Sequence, residues 1–260
     1  NRIVVKVGTS TLTNDAGKSD LRTTDRLACV LSDIQNMGYE VVLVSSGAIA
    51  VGRNKLNMTA KPDSMRMKQA AAAVGQCSLM YLYDKFFGDY DKTVAQILLN
   101  ADDIEEEEKK ENLINTFNAL LEMGVIPIVN ENDSVSYKEI ESEDRLFGDN
   151  DMLSAVVAVL CRAKHLVIFS DIDGFYDHDP RLYPNAQLID QIDTIDDSVY
   201  ALAGGAGSRR GTGGMRTKLQ AASLATSQGT NTIVTNGKRP EVLYDIVKGG
   251  RAGTLFPGKI

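Results

Sequence analysis

The chain opens on RIVVKVGTS (Arg2–Ser10), a nearly continuous apolar run that ends in small and polar residues. A run that is apolar on both faces predicts a strand buried on both sides, as in parallel sheets covered by helices. Further strands of this kind are predicted at Glu40–Val44, Lys92–Leu99, Val125–Val129, Lys164–Phe169 and Asn231–Thr235.

Segments with helical spacing alternate with these strands. Leu27, Val30, Leu31 and Ile34 lie on one helical face, and Gly38 follows as a stop signal. The predicted helices are Thr23–Met37, Met67–Phe87, Asn112–Met123, Asp149–Cys161 and Met215–Gln228. The alternation predicts an α/β fold, a three-layer α/β/α sandwich around a mostly parallel open sheet.

Composition narrows the class of protein. The 260 residues fit one large domain, and 28 Lys and Arg against 35 Asp and Glu give a net charge of −7. That balance argues against nucleic-acid binding through a broad basic surface. We expect no membrane span, no targeting segment and a cytoplasmic location, with the three cysteines as small buried thiols. The acidic run Asp102–Glu108 is interpreted as a solvated loop or helix start rather than a metal site.

Polar and glycine-rich residues follow five of the predicted strands. In an open parallel sheet, ligands bind outside the carboxyl ends of the strands, so these groups predict a site. They are Lys6 to Ser10, Ser45 to Ala48, Asn130 to Asp133, Ser170-Asp171 and Asn236-Gly237.

Two charged residues stand out near these strand ends. Lys6 lies inside a buried strand, so it either reaches the rim of the sheet or serves as a cation for an anionic substrate. Gly148-Asp149-Asn150-Asp151 precedes a helix, where Asp149 or Asn150 is a candidate N-cap. Asp151, in the first turn, is placed to orient two lysines if that helix points into the site.

A glycine-rich loop, Gly211-Thr212-Gly213-Gly214-Met215-Arg216-Thr217-Lys218, leads into a late helix. Glycines let the backbone approach a ligand, and a helix N-terminus favours phosphate. The spacing is not that of a Walker A loop, because the lysine does not follow a glycine. The loop is therefore either a different kind of phosphate site or a flexible surface loop. With two lysines and nearby carboxylates, the residues suggest phosphoryl transfer, which depends on positioning and charge stabilisation.

The chain resembles the glutamate-phosphorylating branch of the amino acid kinase family. The resemblance rests on motifs that occur in the order of that family along nearly the whole chain. They are Val4 to Ser10, Val44 to Ile49, Asn130 to Asp133, Phe147 to Ser154, Ser170 to Tyr176 and Gly211 to Lys218.

The resemblance implies a role for each matched residue. Lys6 and Lys218 would stabilise the transferred phosphoryl group, and Asp151 would hold both lysines. L-glutamate would be bound by Ser46, Gly47, Asp133 and Asn150. ATP would be bound by Lys6, Ser170, Asp171, Thr212, Gly213, Gly214, Met215, Arg216, Thr217 and Lys218. Ser170 stands where the family often has threonine, and both side chains carry a hydroxyl.

The resemblance also implies the activity and its setting. We expect a single amino acid kinase domain over 1–260, with the amino-acid part at roughly 1–165 and the nucleotide part at roughly 166–260. ATP with Mg²⁺ would phosphorylate the γ-carboxylate of glutamate, the first step towards proline. Proline would inhibit by feedback, the chain would form a homo-oligomer, and the RNA-binding C-terminal module of many family members would be absent. The alternatives are a sibling kinase acting on acetylglutamate, aspartate, carbamate or UMP, and a non-catalytic amino-acid sensor.

Overall fold

The structure is a computed structural model that describes residues 1–14, 18–135, 150–203 and 214–259. The strands are β1 (Arg2–Val7), β2 (Glu40–Ser45), β3 (Val94–Leu99), β4 (Ile126–Glu131), β5 (His165–Ser170), β6 (Asn231–Asn236) and β7 (Thr254–Phe256). The helices are α1 (Thr9–Leu12), α2 (Leu21–Asn36), α3 (Ala48–Lys55), α4 (Met65–Gly88), α5 (Asp102–Glu105), α6 (Glu107–Glu122), α7 (Asn150–Leu160), α8 (Asp197–Leu202), α9 (Met215–Ser227) and α10 (Val242–Val247).

The strands form one sheet in the order β3-β4-β2-β1-β5-β6-β7. Strands β1 to β6 pair in parallel, and of the strands in the described residues β7 is the one that runs antiparallel, against β6. The predicted mostly parallel sheet is therefore confirmed. The predicted strands and helices lie at their expected places with shifted ends, whereas β7 and the short helices α1, α3, α8 and α10 were not predicted.

Two layers of helices enclose the sheet, and the alternation of β1 divides its side chains between them. Ile3, Val5 and Val7 pack in the cluster that contains residues of α2, α4 and α10. Val4 packs in the opposite cluster, with residues of α6, α7 and α9. Because side chains two residues apart share a face of a strand, Lys6 lies on the same face as Val4. This register directs Lys6 towards α7 and α9.

Helices α3 and α4 cross at unusually short range. A Cβ added to Gly52 would lie 1.8 Å from the Ala71 carbonyl oxygen, and one added to Gly75 would lie 1.7 Å from that of Ala48. Only glycine fits at such a crossing, because the two backbones occupy the space of a side chain. The crossing fixes the first turn of α3, beside the end of β2, against the middle of α4.

The cysteine prediction is wrong in part. Cys161 is buried, but Cys29 is only partly buried and Cys77 is exposed on α4. Apolar flanking residues indicate burial poorly on an amphipathic helix, since neighbouring positions point in different directions. Among the described helices, none combines the length and the apolar character that a membrane crossing requires.

Candidate active site

Three charged side chains from distant parts of the chain meet at the carboxyl end of the sheet. The Nζ atom of Lys6, on β1, lies 2.6 Å from Oδ1 of Asp151, in the first turn of α7. The Nζ atom of Lys218, on α9, lies 3.1 Å from Oδ2 of the same carboxylate. We call Lys6, Asp151 and Lys218 the lysine clamp. The sequence placed these three residues in one site, and the structure brings them into contact.

The lysine clamp is almost dry. Asp151 is fully buried, and Lys6 and Lys218 are 8% and 7% exposed. Burial by itself raises the pKa of Asp151, but the charges of Lys6 and Lys218 outweigh it and lower that pKa to about 2. Asp151 is therefore ionised at neutral pH. Its pairing with Lys6 also removes the alternative that this lysine only reaches out to the rim of the sheet.

The start of α9 is tied to the clamp through Thr217. Its hydroxyl lies 3.0 Å from Oδ2 of Asp151 and 2.9 Å from the Gly214 carbonyl oxygen. Gly214 occupies the N-cap position of α9, which begins at Met215, and the N–H groups of a first helical turn have no partner within their own helix. The predicted ATP contacts Thr212 and Gly213 lie outside the described residues. The mix of β-prone and acidic residues in Val135–Phe147, without a core period, predicts an excursion from the core, and 136–147 also lie outside the described residues.

Asn150 joins the ends of two strands, β2 and β4, on the other side of the clamp. Its Nδ2 group lies 3.0 Å from the Ser45 carbonyl oxygen, 2.7 Å from Oγ of Ser46 and 3.1 Å from Oδ1 of Asn130. Asn150 thus contacts strand ends rather than serving as an N-cap. Because Asn150 and Asp151 are consecutive, this set of polar contacts and the lysine clamp share the first turn of α7.

A pocket of about 290 Å³ opens beside the ends of β3 and β4. Its lining combines small, amide and acidic side chains from α3, α4, β3, the end of β4 and the segment after it. The lining residues are Ala48, Ala72, Ala73, Gln76, Cys77, Gln96, Leu98, Glu131, Asn132, Asp133 and Ser134. The predicted substrate residue Asp133 lies in this lining. Gly47 precedes α3 as its N-cap with a φ of 100°, a left-handed conformation that favours glycine.

The predicted nucleotide residues Ser170 and Asp171 lie at the end of β5. Oγ of Ser170 donates to Oδ1 of Asp171 at 3.3 Å, and Arg181 pairs with Oδ2 of Asp171 at 2.8 Å. Arg216 lies on α9 with its guanidinium 5.9 Å from the ring centre of Tyr200, on α8. These groups lie at the β5 and α9 side of the sheet, across β1 from the pocket.

Sequence reasoning missed two amides that line the pocket, Gln76 and Gln96. Asn130, which lies in one of the predicted polar strand ends, connects Gln76 to Asn150. Gln76 lies in an alanine-rich helix whose sequence indicates close packing rather than ligand binding. Gln96 lies inside a strand and not at its carboxyl end, where a site is expected. A polar residue in the small-residue face of α4 was the available signal for Gln76.

Comparison with known proteins identifies the family. The amino acid kinase family profile matches residues 1–236. The chain belongs to the amino acid kinase family. Glutamate 5-kinase of Clostridium perfringens is 55% identical over 99% of this chain and 96% of its own length. Glutamate 5-kinases of Listeria innocua and Enterococcus faecalis are 50% and 48% identical, over 93% and 94% of their lengths.

Solved structures share the fold at low sequence identity. The carbamate kinase of Giardia lamblia bound to AMP-PNP has a TM-score of 0.68 at 16% identity, over 98% of each chain. The isopentenyl phosphate kinase of T. acidophilum has a TM-score of 0.66 at 18% identity, over 98% of this chain and all of its own. The predicted amino acid kinase-like fold is confirmed.

Proposed function

We propose that this chain is a glutamate 5-kinase, which transfers the γ-phosphoryl group of ATP to the γ-carboxylate of L-glutamate. The products are ADP and L-glutamate 5-phosphate, and the reaction is the first step of proline biosynthesis. Identities of 48–55% with glutamate 5-kinases, over nearly the full length of both partners, support this activity. The observation that carries the proposal is the dry lysine clamp beside a polar pocket of amino-acid size.

The chemistry needs charge stabilisation more than proton transfer. An oxygen of the γ-carboxylate attacks the γ-phosphorus, and the bond from that phosphorus to the bridging oxygen of ADP breaks. The carboxylate is already ionised at neutral pH, so no general base is required. Bringing an anion to a polyanion is unfavourable, and Lys6 and Lys218 would offset it by facing the phosphoryl oxygens. Asp151 would hold both ammonium groups in place.

The two substrates would approach the clamp from opposite sides. Glutamate would bind on the pocket side, through Ser46, Gly47, Asn150 and Asp133, with Asp133 facing the substrate ammonium. ATP would bind on the other side, through Ser170, Asp171 and the segment from Thr212 to Lys218. We therefore assign the amino acid to the part at roughly 1–165 and the nucleotide to the part at roughly 166–260.

Mg²⁺ would accompany ATP rather than occupy a site built from the described side chains. Asp151 is engaged by two lysines, and the described residues gather no group of three His, Cys, Asp or Glu side chains that could hold a metal ion. Phosphate oxygens and water suit Mg²⁺ as ligands, and the ion would neutralise charge on the triphosphate.

The experiment that tests the proposed function is turnover of ATP with a panel of acceptors. Glutamate, N-acetylglutamate, aspartate, carbamate and UMP are supplied at equal concentration, and hydroxylamine traps any acyl phosphate as a hydroxamate. We expect ADP and hydroxamate to form together with glutamate and at far lower rates with the other acceptors. A preference for another acceptor would indicate a sibling kinase, and binding of glutamate without ADP release would indicate a sensor.

We further propose that free proline inhibits the chain at the glutamate subsite. Proline shares the α-carboxylate and the cationic α-nitrogen of glutamate, which are the groups that Ser46 and Asp133 would meet. Initial rates at several glutamate concentrations should show inhibition that weakens as glutamate rises. Inhibition that glutamate does not relieve would contradict a shared subsite. A cytoplasmic homo-oligomer acting without nucleic acid completes the proposal, and sedimentation of the purified chain tests the oligomeric state.

A further inference from the structure

Four side-chain amides form a continuous chain from the lysine clamp to the far wall of the pocket. Nδ2 of Asn150 donates to Oδ1 of Asn130 at 3.1 Å, and Nδ2 of Asn130 donates to Oε1 of Gln76 at 2.9 Å. Nε2 of Gln76 then donates to Oε1 of Gln96 at 3.1 Å. We call Asn150, Asn130, Gln76 and Gln96 the amide relay. It links α7, β4, α4 and β3.

A backbone group sets the direction of the amide relay. The N–H of Glu131 donates to Oδ1 of Asn130 at 2.9 Å. Because a backbone N–H can only donate, it holds the oxygen of Asn130 on its own side, and Nδ2 must face Gln76. The amide of Gln76 is then oriented with its oxygen towards Asn130 and its nitrogen towards Gln96. The orientation of each amide therefore determines the one orientation in which the next amide can pair a donor with an acceptor.

The last member of the relay meets the pocket. Since Oε1 of Gln96 accepts from Gln76, the amide nitrogen of Gln96 remains as the group that offers N–H donors to a ligand. Gln76 and Gln96 both line the pocket, as does Asp133. An N–H donor near a carboxylate matches an amino acid, whose α-carboxylate accepts hydrogen bonds and whose ammonium pairs with an anion.

We propose that Gln76 is a positioning residue that fixes the amide of Gln96 as a donor to the α-carboxylate of the amino acid. Gln76 acts through its neighbour, and its effect is on recognition of the substrate rather than on phosphoryl transfer. This inference rests on the proposed glutamate kinase activity and adds the group that reads the α-carboxylate. The relay also makes the orientation of Gln96 depend on Asn130, which contacts Asn150, the residue before Asp151 of the clamp.

Neutral variants test the proposal without adding charge. Gln76→Met and Gln96→Met keep side-chain length and remove hydrogen bonding. Each should raise the KM for glutamate about tenfold, the low end for a partly solvated hydrogen bond to a charged group. The KM for ATP and kcat should change less than about threefold. Gln35→Met is the matched control, because Gln35 is a half-buried helical glutamine whose amide donates to the Gly124 carbonyl, away from the site.

A double-mutant cycle separates the relay from two independent contacts. If Gln76 acts through Gln96, the double variant should raise the KM for glutamate about as much as Gln96→Met alone. Gln76→Glu should have a larger effect than Gln76→Met, because a carboxylate accepts from both neighbours and turns the oxygen of Gln96 towards the ligand. The inhibition constant of proline should rise in parallel.

Three outcomes would overturn the proposal. They are an unchanged KM for glutamate in Gln76→Met, single-variant effects that multiply in the double variant, and equal increases in both KM values with a lower melting temperature. Failure of the proposed function is visible separately, because wild-type protein would then give no hydroxamate with glutamate. In that case, the Kd of glutamate, measured by calorimetry for the wild type, the two single variants and the double variant, replaces KM in the double-mutant cycle. A wild type that does not bind glutamate overturns the relay as well.

Discussion

The lysine clamp and the amide relay contain neighbouring residues of α7, yet the clamp is made of charged side chains and the relay of neutral ones. The clamp consists of three charged residues, each at most 8% exposed. The relay consists of four neutral amides and runs from half-buried Asn150, through buried Asn130, to exposed Gln96. Charges held in dry surroundings stabilise charge that develops in a transition state, whereas amides give directional contacts to a bound substrate. Changes in the clamp should therefore alter kcat and stability, and changes in the relay should alter the KM for glutamate.

The largest change in stability should follow the substitution Asp151→Asn. It leaves the buried ammonium groups of Lys6 and Lys218 without their shared carboxylate, so unfolding should become easier by about 3–5 kcal/mol. Urea unfolding at neutral pH measures this loss. Asp197→Asn, at the exposed start of α8, is the control and should stay within about 0.5 kcal/mol of the wild type. Wild-type stability in Asp151→Asn would mean that the clamp is not a coupled ionic unit.

A smaller loss should follow Gly75→Ala at the crossing of α3 and α4. The added methyl group meets the Ala48 carbonyl oxygen, so the two helices must separate, at a cost of about 1–3 kcal/mol or more. The KM for glutamate should rise as well, because Ala48 lines the pocket. Gly88→Ala is the matched control on the same helix, since nothing lies within 4 Å of its added Cβ. Equal melting temperatures for the two variants would show that the crossing tolerates a side chain.

Asp133→Asn should change substrate recognition and leave phosphoryl transfer little altered, unlike a change in the clamp. Losing the carboxylate that would face the substrate ammonium should raise the KM for glutamate about tenfold and leave the KM for ATP within about twofold. Steady-state kinetics with each substrate varied in turn measures both constants, with Glu122→Gln at the end of α6 as the control. A rise confined to the KM for ATP would reverse the division of the site into two sides.

Acidification should weaken the clamp by less than the substitution Asp151→Asn does. The pKa of Asp151 is about 2 in the folded protein against an ordinary value of 3.8. Because the folded pKa is the lower one, the stabilisation is fully present above about pH 4 and is lost as the pH falls towards 2, by about 2 kcal/mol in all. The stability difference between wild type and Asp151→Asn should therefore narrow below about pH 4. A constant difference down to about pH 3 would contradict this.

Sequence reasoning located the clamp because its members carry strong local signals. Lys6 interrupts an apolar strand, Asp151 follows a polar helix start, and Lys218 follows a glycine-rich loop. Parallel strands bring their carboxyl ends to one edge, so these three distant positions could be assigned to one site. The structure brings the three side chains into contact, and their catalytic roles stay predictions.

The pocket could not be predicted in the same way. Gln76 and Gln96 face each other only because α4 packs beside the edge strand β3, which is a tertiary relation without a local pattern. The short helix α3 was missed for a related reason. Its eight residues are held by the close crossing with α4, so packing rather than helical periodicity determines it.

The most direct test of the contrast between the two regions is to measure turnover and glutamate binding on the same variant, Lys218→Ala. Turnover should fall about 10²- to 10³-fold, as expected when one electrostatic stabiliser of a transition state is removed. Calorimetry in the presence of a non-hydrolysable ATP analogue should give a Kd for glutamate within about threefold of the wild type. Lys248→Ala, at the exposed end of α10, should match the wild type in both. Near wild-type turnover in Lys218→Ala, or a loss of glutamate binding in proportion to the loss of rate, would contradict the assignment of the clamp to phosphoryl transfer.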